Sequence, residues 1–181
     1  MKRVLLLLAD GFEEVEAFTP VDMLRRSGVE VVTVGVGGRE VVGARGVRVV
    51  SDVEDSQVSN ETFDMLILPG GYPGYENLDR SNFTHKMIDA AMQSGAYVAA
   101  ICGAPSILGK RGDLQGKKAC VYPSMEEALL GAKVRFDKVC VDGNIITSRS
   151  AATAMEFAMT LVELLCGKEQ RKTLAAQIVM E

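Results

Sequence analysis

Apolar positions along this chain fall into short unbroken runs separated by stretches with helical spacing. Val4–Ala9, Val29–Val34, Met65–Leu68 and Tyr97–Ala100 are runs of strand length, and Ile145–Ser148 reads as a further strand. Runs without polar alternation are what strands covered on both faces require. Between the first two lies a helical stretch ending at Ser27-Gly28, where Thr19-Pro20-Val21-Asp22 predicts that the helix restarts or kinks. Glu40–Val42 and Val47–Val50 read as a hairpin turning through Gly43-Ala44-Arg45-Gly46. A helix is predicted over Asn82–Gln93, and another opening at Cys102. Downstream the pattern is choppier. Lys117–Val121, Lys133–Phe136 and Val139–Val141 read as short strands, and Ser124–Leu130 as a short helix capped by Ser124. Asp142-Gly143-Asn144 forms a turn. Ala151–Leu165 predicts a long buried helix, and Lys168–Val179 an amphipathic one. Strand and helix in alternation imply an α/β fold: a mostly parallel sheet with helices on both faces, in one domain over residues 1–181.

Composition narrows the function classes. Of 181 residues, 48 % are apolar, ordinary for a globular chain. A net charge of −4 gives no basic field to hold nucleic acid or an anionic membrane. No apolar stretch approaches the roughly 18 residues of a membrane span. Lys2-Arg3 before Val4–Ala9 faintly resembles a leader, but the acidic Asp10–Glu14 follows at once, so the segment reads as a strand. The single histidine excludes a multi-histidine metal site within one chain. The four cysteines show no C-x-x-C pair, which suggests neither zinc nor a dithiol. Free thiols and a cytoplasmic location are expected, with Cys120, Cys140 and Cys166 as buried packing residues.

Chemistry in an open parallel sheet belongs outside the carboxyl ends of its strands. Three unusual segments fall there: Asp10–Glu16, Pro69–Tyr75 and Ile101-Cys102-Gly103. Cys102 stands among small residues in Ala99–Pro105, as a tight strand-to-helix turn exposing a nucleophile demands. A helix N-terminus at that point would favour thiolate, lowering the pKa from about 8.5 toward ~4–7. Gly70 and Gly71 let backbone N–H groups approach an oxyanion. Glu13, Glu14 and Glu16 open a helix, and periodicity does not settle which faces inward. A carboxyl beside Cys102 would be pushed toward its protonated form and could act as general acid. His85, in or beside the Asn82–Gln93 helix, reads as a surface histidine.

Taken together, Asp10–Glu16, Pro20-Val21-Asp22, Arg25–Gly28, Leu68–Gly71, Ala99–Pro105, Thr147-Ser148-Arg149 and Glu156-Phe157-Ala158 resemble the ThiJ/PfpI superfamily, in the branch of the Parkinsonism-associated protein deglycase. The resemblance spans nearly the whole chain. It implies a flavodoxin-like doubly wound sandwich with a nucleophile elbow at Cys102, a homodimer, and no cofactor. It places the catalytic cysteine on Cys102, its carboxylic partner on Glu16 and backbone donors on Gly70, Gly71 and Gly103. Arg45 matches an arginine near the partner subunit's cysteine. It implies glyoxalase or deglycase activity on small 2-oxoaldehydes such as methylglyoxal and glyoxal, or on their glycated adducts. A redox sensor or holdase chaperone using the same sulfur is the alternative, and a PfpI-like peptidase a minor one. Two positions depart from the pattern. Tyr122-Pro123 stands where close relatives often have His-Pro, and Ser150-Ala151-Ala152 replaces a Gly-Pro-Gly-like segment.

Overall fold

The computed structural model describes residues 1–58 and 62–180. Its elements run in chain order as follows: β1 (Arg3–Leu8), α1 (Glu14–Arg26), β2 (Glu30–Gly35), β3 (Glu40–Val42), β4 (Arg48–Val50), β5 (Val53–Glu54), β6 (Met65–Leu68), α2 (Gly74–Arg80), α3 (Asn82–Ser94), β7 (Tyr97–Ile101), α4 (Pro105–Arg111), β8 (Lys118–Ala119), β9 (Lys133–Val134), β10 (Val139–Asp142), β11 (Ile145–Ser148), α5 (Ala154–Cys166) and α6 (Lys168–Gln177). The main sheet has seven strands in the order β10-β11-β7-β6-β1-β2-β5. Every pairing in it is parallel except the edge pair β10–β11.

Side chains of β1 alternate strictly between two cores, as a pleated strand must. Val4, Leu6 and Leu8 pack with α1, α5 and Leu174 of α6 on one face. Leu5 and Leu7 pack with Leu78 of α2, Ile88 and Ala91 of α3, and Ile107 and Leu108 of α4 on the other. Both faces are therefore dry, which is why the strand sequences are apolar throughout. The result is the expected flavodoxin-like sandwich.

Strand order puts the site in place. From β1 the chain moves outward through β2 to one edge, then returns to β6 and β7 on the other side of β1. The loops after β1 and β6 consequently leave in opposite directions and open a crevice at the carboxyl ends of β1, β6 and β7. The hairpin β3–β4 forms its own antiparallel pair and folds back over this end. Its Val42 carbonyl accepts from Gly11 N–H at 2.7 Å, and Ala44 N–H donates to the Phe12 carbonyl at 2.7 Å.

Several boundaries differ from the sequence expectations. α1 runs through Pro20 rather than restarting there. Glu13 caps it, its carboxylate accepting from Glu16 N–H at 2.8 Å, and the buried face Ala17-Val21-Leu24 holds it against the sheet despite the missing proline donor. The predicted helix over Ser124–Leu130 is only a 3-10 turn at Glu126–Ala128, with Ser124 in a left-handed conformation that cannot cap it as foreseen. Lys117–Val121 and Lys133–Phe136 shrink to the two-residue strands β8 and β9. The long C-terminal helix is preceded by a 3-10 turn, Ala151–Thr153, and starts at Ala154. No helix among the described residues is long and apolar enough to cross a membrane.

Candidate active site

Cys102 follows β7 with φ of 64°. A non-glycine residue in the left-handed region is uncommon and persists only where its surroundings fix it. Here Cys102 N–H donates to the Ser148 carbonyl at 3.0 Å, and the Cys102 carbonyl accepts from Tyr122 N–H at 2.9 Å. Neighbouring β11 and the Tyr122 segment thus clamp both backbone groups of the elbow. The helix starts three residues later than expected, at Pro105, with seven residues.

Glu16 meets the sulfur from α1. Its side chain is buried to 1 % exposure, within hydrogen-bond reach of Cys102. Gly70 N–H donates to Glu16 Oε2 at 3.0 Å, and Ala151 N–H also hydrogen-bonds the carboxyl. The N–H groups of Gly71 and Gly103 are directed at the Cys102 sulfur. The packing is too close for side chains at two glycines. A Cβ on Gly70 would stand 2.5 Å from Cys102 Cβ and 2.6 Å from Glu16 Oε2. Gly71 has φ of 92°, and a Cβ there would stand 2.3 Å from Glu13 N.

Both members of the pair hold their protons more tightly than usual. Burial, then the charge of Glu13, raises the Glu16 carboxyl to about 7 from its ordinary 4.5, against hydrogen bonds from Cys102, Gly70 and Ala151. Burial, then the Glu16 carboxylate, pushes the Cys102 thiol up to about 12. The expected thiol depression is therefore corrected. Desolvation and a like charge outweigh the Gly71 and Gly103 donors, and the positive end of α4 lies beyond the elbow. Each charge acts on the other, so the two groups titrate as one pair. Near neutrality it holds between one and two protons, and Glu16 is positioned to take the one on sulfur.

A cavity of about 590 Å³ opens over the sulfur, lined by Glu13, Glu16, Gly71, Gly103 and the side chains of Tyr72, Tyr75, Tyr122 and Met125. Arg45 also lines it, in its own chain, with its backbone N–H held by Glu14 Oε1 at 2.8 Å. Of the expected site residues, Cys102, Glu16, Gly71, Gly103 and Arg45 thus come together at one cavity. Gly70 is adjacent but does not serve as an oxyanion donor, since its N–H is engaged by Glu16. Met125 was not foreseen; Tyr72 and Tyr75 belong to the Pro69–Tyr75 segment expected at the strand ends, and Tyr122 and Ala151 to the two positions that depart from the family pattern, but none of the four was given a role. A backbone donor carries no side-chain signal, and the tyrosines reach the cavity through strand order alone.

The remaining candidates lie elsewhere. His85 Nδ1 faces Arg111 Nη1 at 3.1 Å, so it must accept, leaving Nε2 to donate to the Asp79 carbonyl at 2.6 Å. It does not line the cavity. Cys120 and Cys140 are buried as expected, and Cys166 is only half-buried. Among the described residues no group of three or more His, Cys, Asp or Glu is placed to hold a metal ion.

Comparison with known proteins matches residues 2–164 to the DJ-1/PfpI family. Protein dj-1beta of Drosophila melanogaster is 37 % identical over 182 residues, covering 99 % of this chain and 97 % of the relative. The glutathione-independent glyoxalase DJR-1.2 of Caenorhabditis elegans is 34 % identical over 172 residues, covering 94 % and 92 % respectively. Among solved structures, oxidized Toxoplasma gondii DJ-1 superposes with a TM-score of 0.95 at 39 % identity, covering 99 % of this chain and 98 % of that one.

Proposed function

The chain belongs to the DJ-1/PfpI family, and from that premise we propose that it is a cofactor-free glyoxalase acting on small 2-oxoaldehydes, or on their adducts, through Cys102. The observation that carries this reading is the contact between a sulfur on a strained elbow and a buried carboxyl raised to about 7. The named glyoxalase among the relatives supports the substrate class.

The chemistry follows from the placement of the groups. Glu16 carboxylate accepts the Cys102 proton as sulfur adds to the aldehyde carbon. A C–S bond forms, and the carbonyl π pair becomes an alkoxide that the N–H groups of Gly71 and Gly103 stabilise. Glu16 first hands the thiol proton to the alkoxide, giving a hemithioacetal hydroxyl. The freed carboxylate then takes the C–H proton of that carbon and delivers it to the adjacent ketone carbon, while the hydroxyl proton passes to the ketone oxygen, leaving a thioester. Water hydrolyses the thioester to a 2-hydroxy acid and returns the thiol. A base whose pKa lies close to the working pH suits both transfers. Arg45, across the cavity, complements the charge of the carboxylate product.

Cys102→Ala is expected to lower lactate formation from methylglyoxal by at least about a thousandfold, the scale of losing a covalent nucleophile. Full turnover in that variant, followed by proton NMR, would end the proposal. A second reading draws on the oxidized relative: Cys102 as a redox sensor, its sulfinate oxygens held by Gly71, Gly103 and protonated Glu16. Peroxide treatment followed by peptide mass mapping tests it. Absence of a two-oxygen adduct on Cys102 would dismiss it. A peptidase reading lacks support, because the single histidine is bonded to Asp79 and Arg111 and stands apart from the sulfur.

A further inference from the structure

The cavity over Cys102 is much larger than the group that reacts in it. At about 590 Å³ it lies in the range that encloses drug-sized molecules. Glyoxal or methylglyoxal would fill a small part. The outer wall is aromatic, built by Tyr72, Tyr75 and Tyr122 with Met125 beside them. The Tyr75 ring lies against Gly103, where a Cβ would meet it at 2.7 Å, so it borders the nucleophile. Tyr72 stands over Tyr75 with ring centroids 6.5 Å apart and planes tilted by 53°. Tyr122 is tied through its own N–H to the Cys102 carbonyl. Tyr72 and Tyr122 remain 71 % and 45 % exposed, so their rings hold apolar surface in water at the mouth rather than packing in the core. The charged groups lining the cavity are Glu13, Glu16 and Arg45. The Glu13 carboxylate already caps α1, so the tyrosine side offers a substituent contact with ring faces and edges.

Resting on the reading of this cavity as a glyoxalase site, we infer that the tyrosine collar makes the protein select 2-oxoaldehydes bearing an aromatic substituent, with Tyr72 and Tyr122 as specificity-determining residues. With the aldehyde carbon at sulfur, the substituent must point outward between these rings. Aromatic groups prefer offset or edge-to-face contacts at centroid separations of about 4.5–7 Å, a spacing the existing Tyr72–Tyr75 pair already shows.

The test compares kcat/KM for phenylglyoxal and glyoxal in the wild type, Tyr72→Ala and Tyr122→Ala. Both tyrosines are exposed enough for alanine to leave the fold intact. The wild type is expected to favour phenylglyoxal at least about tenfold, since burying one phenyl ring exceeds the free energy of one decade. Each substitution should bring the ratio several-fold closer to unity. Equal use of the two aldehydes by the wild type, or a preference that survives both substitutions, would overturn the inference while leaving the glyoxalase reading intact. Should neither aldehyde turn over, the glyoxalase reading fails, and binding to Cys102→Ala decides the collar by itself. Mandelate binding at least about tenfold tighter than glycolate in calorimetry, with the difference reduced by Tyr122→Ala, would sustain it. Equal affinities would refute it.

Discussion

Glu16 and Cys102 are chemically informative because each is expensive to ionise beside the other. Glu16 keeps its proton up to about 7 in the folded chain but releases it near its ordinary 4.5 when unfolded. Between those values the native state binds more protons than the unfolded state. The cost of burying Glu16 is therefore absent below pH ~4.5 and complete above ~7, on the order of 3 kcal/mol, and stability falls as pH rises through that window. Glu16→Gln is expected to remove the fall. Urea denaturation should find the variant more stable than the parent by up to about 3 kcal/mol near pH 8, with little difference near pH 4. The importance of Cys102 was legible in Ala99–Pro105 because a run of small residues around one thiol has few uses other than an elbow. The direction of its proton affinity was not legible, since that depends first on how deeply the sulfur is buried and then on Glu16, whose inward orientation no spacing could establish. Gly70 illustrates the same limit. It was expected to offer its N–H to a substrate oxyanion, but that N–H is taken up by the Glu16 carboxylate.

At the scale of single elements, the elbow is held from outside rather than by its own helix. β11, through Ser148, and the segment at Tyr122 fix the Cys102 backbone, while the turn after β6 presses Gly70 against both reacting groups. Gly70→Ala should therefore separate Glu16 from Cys102, because its Cβ would overlap both. Activity on methylglyoxal is expected to fall at least about a hundredfold, as misplacement by about an ångström can cost. Unaltered turnover, with a crystal structure confirming the substitution, would show that the pair need not be so close. Strands with continuous apolar runs were readable within a residue or so. α2 went unseen because it begins at Gly74 and buries only that glycine and Leu78, too little for an apolar stripe. The segment from Lys117 to Phe136 lost most of its expected structure for a related reason. Its strands pair only with each other, apart from the seven-stranded sheet, so local propensity was not reinforced by packing.

For the molecule as a whole, the order β7-β6-β1-β2 does what no single element can. It reverses direction at β1 and opens the crevice into which α1, the β6 turn and the elbow project. Alternating burial of β1 on two cores keeps that geometry stiff. Leu6→Ala should cost about 2–5 kcal/mol, read by calorimetry as a lower melting temperature, without shifting the pH dependence of turnover. A shift would mean that the reacting pair is not insulated from the core. The most direct measurement of the central claim is the pH profile of kcat/KM for methylglyoxal in the wild type and in Glu16→Gln. With Glu16 as the base, the wild-type rate should rise along one limb centred near 7. The limb should vanish in the variant, whose residual rate climbs only where the thiol itself ionises at more alkaline pH. An undiminished limb near 7 in Glu16→Gln, or a wild-type rate that falls as pH rises through 7, would contradict it.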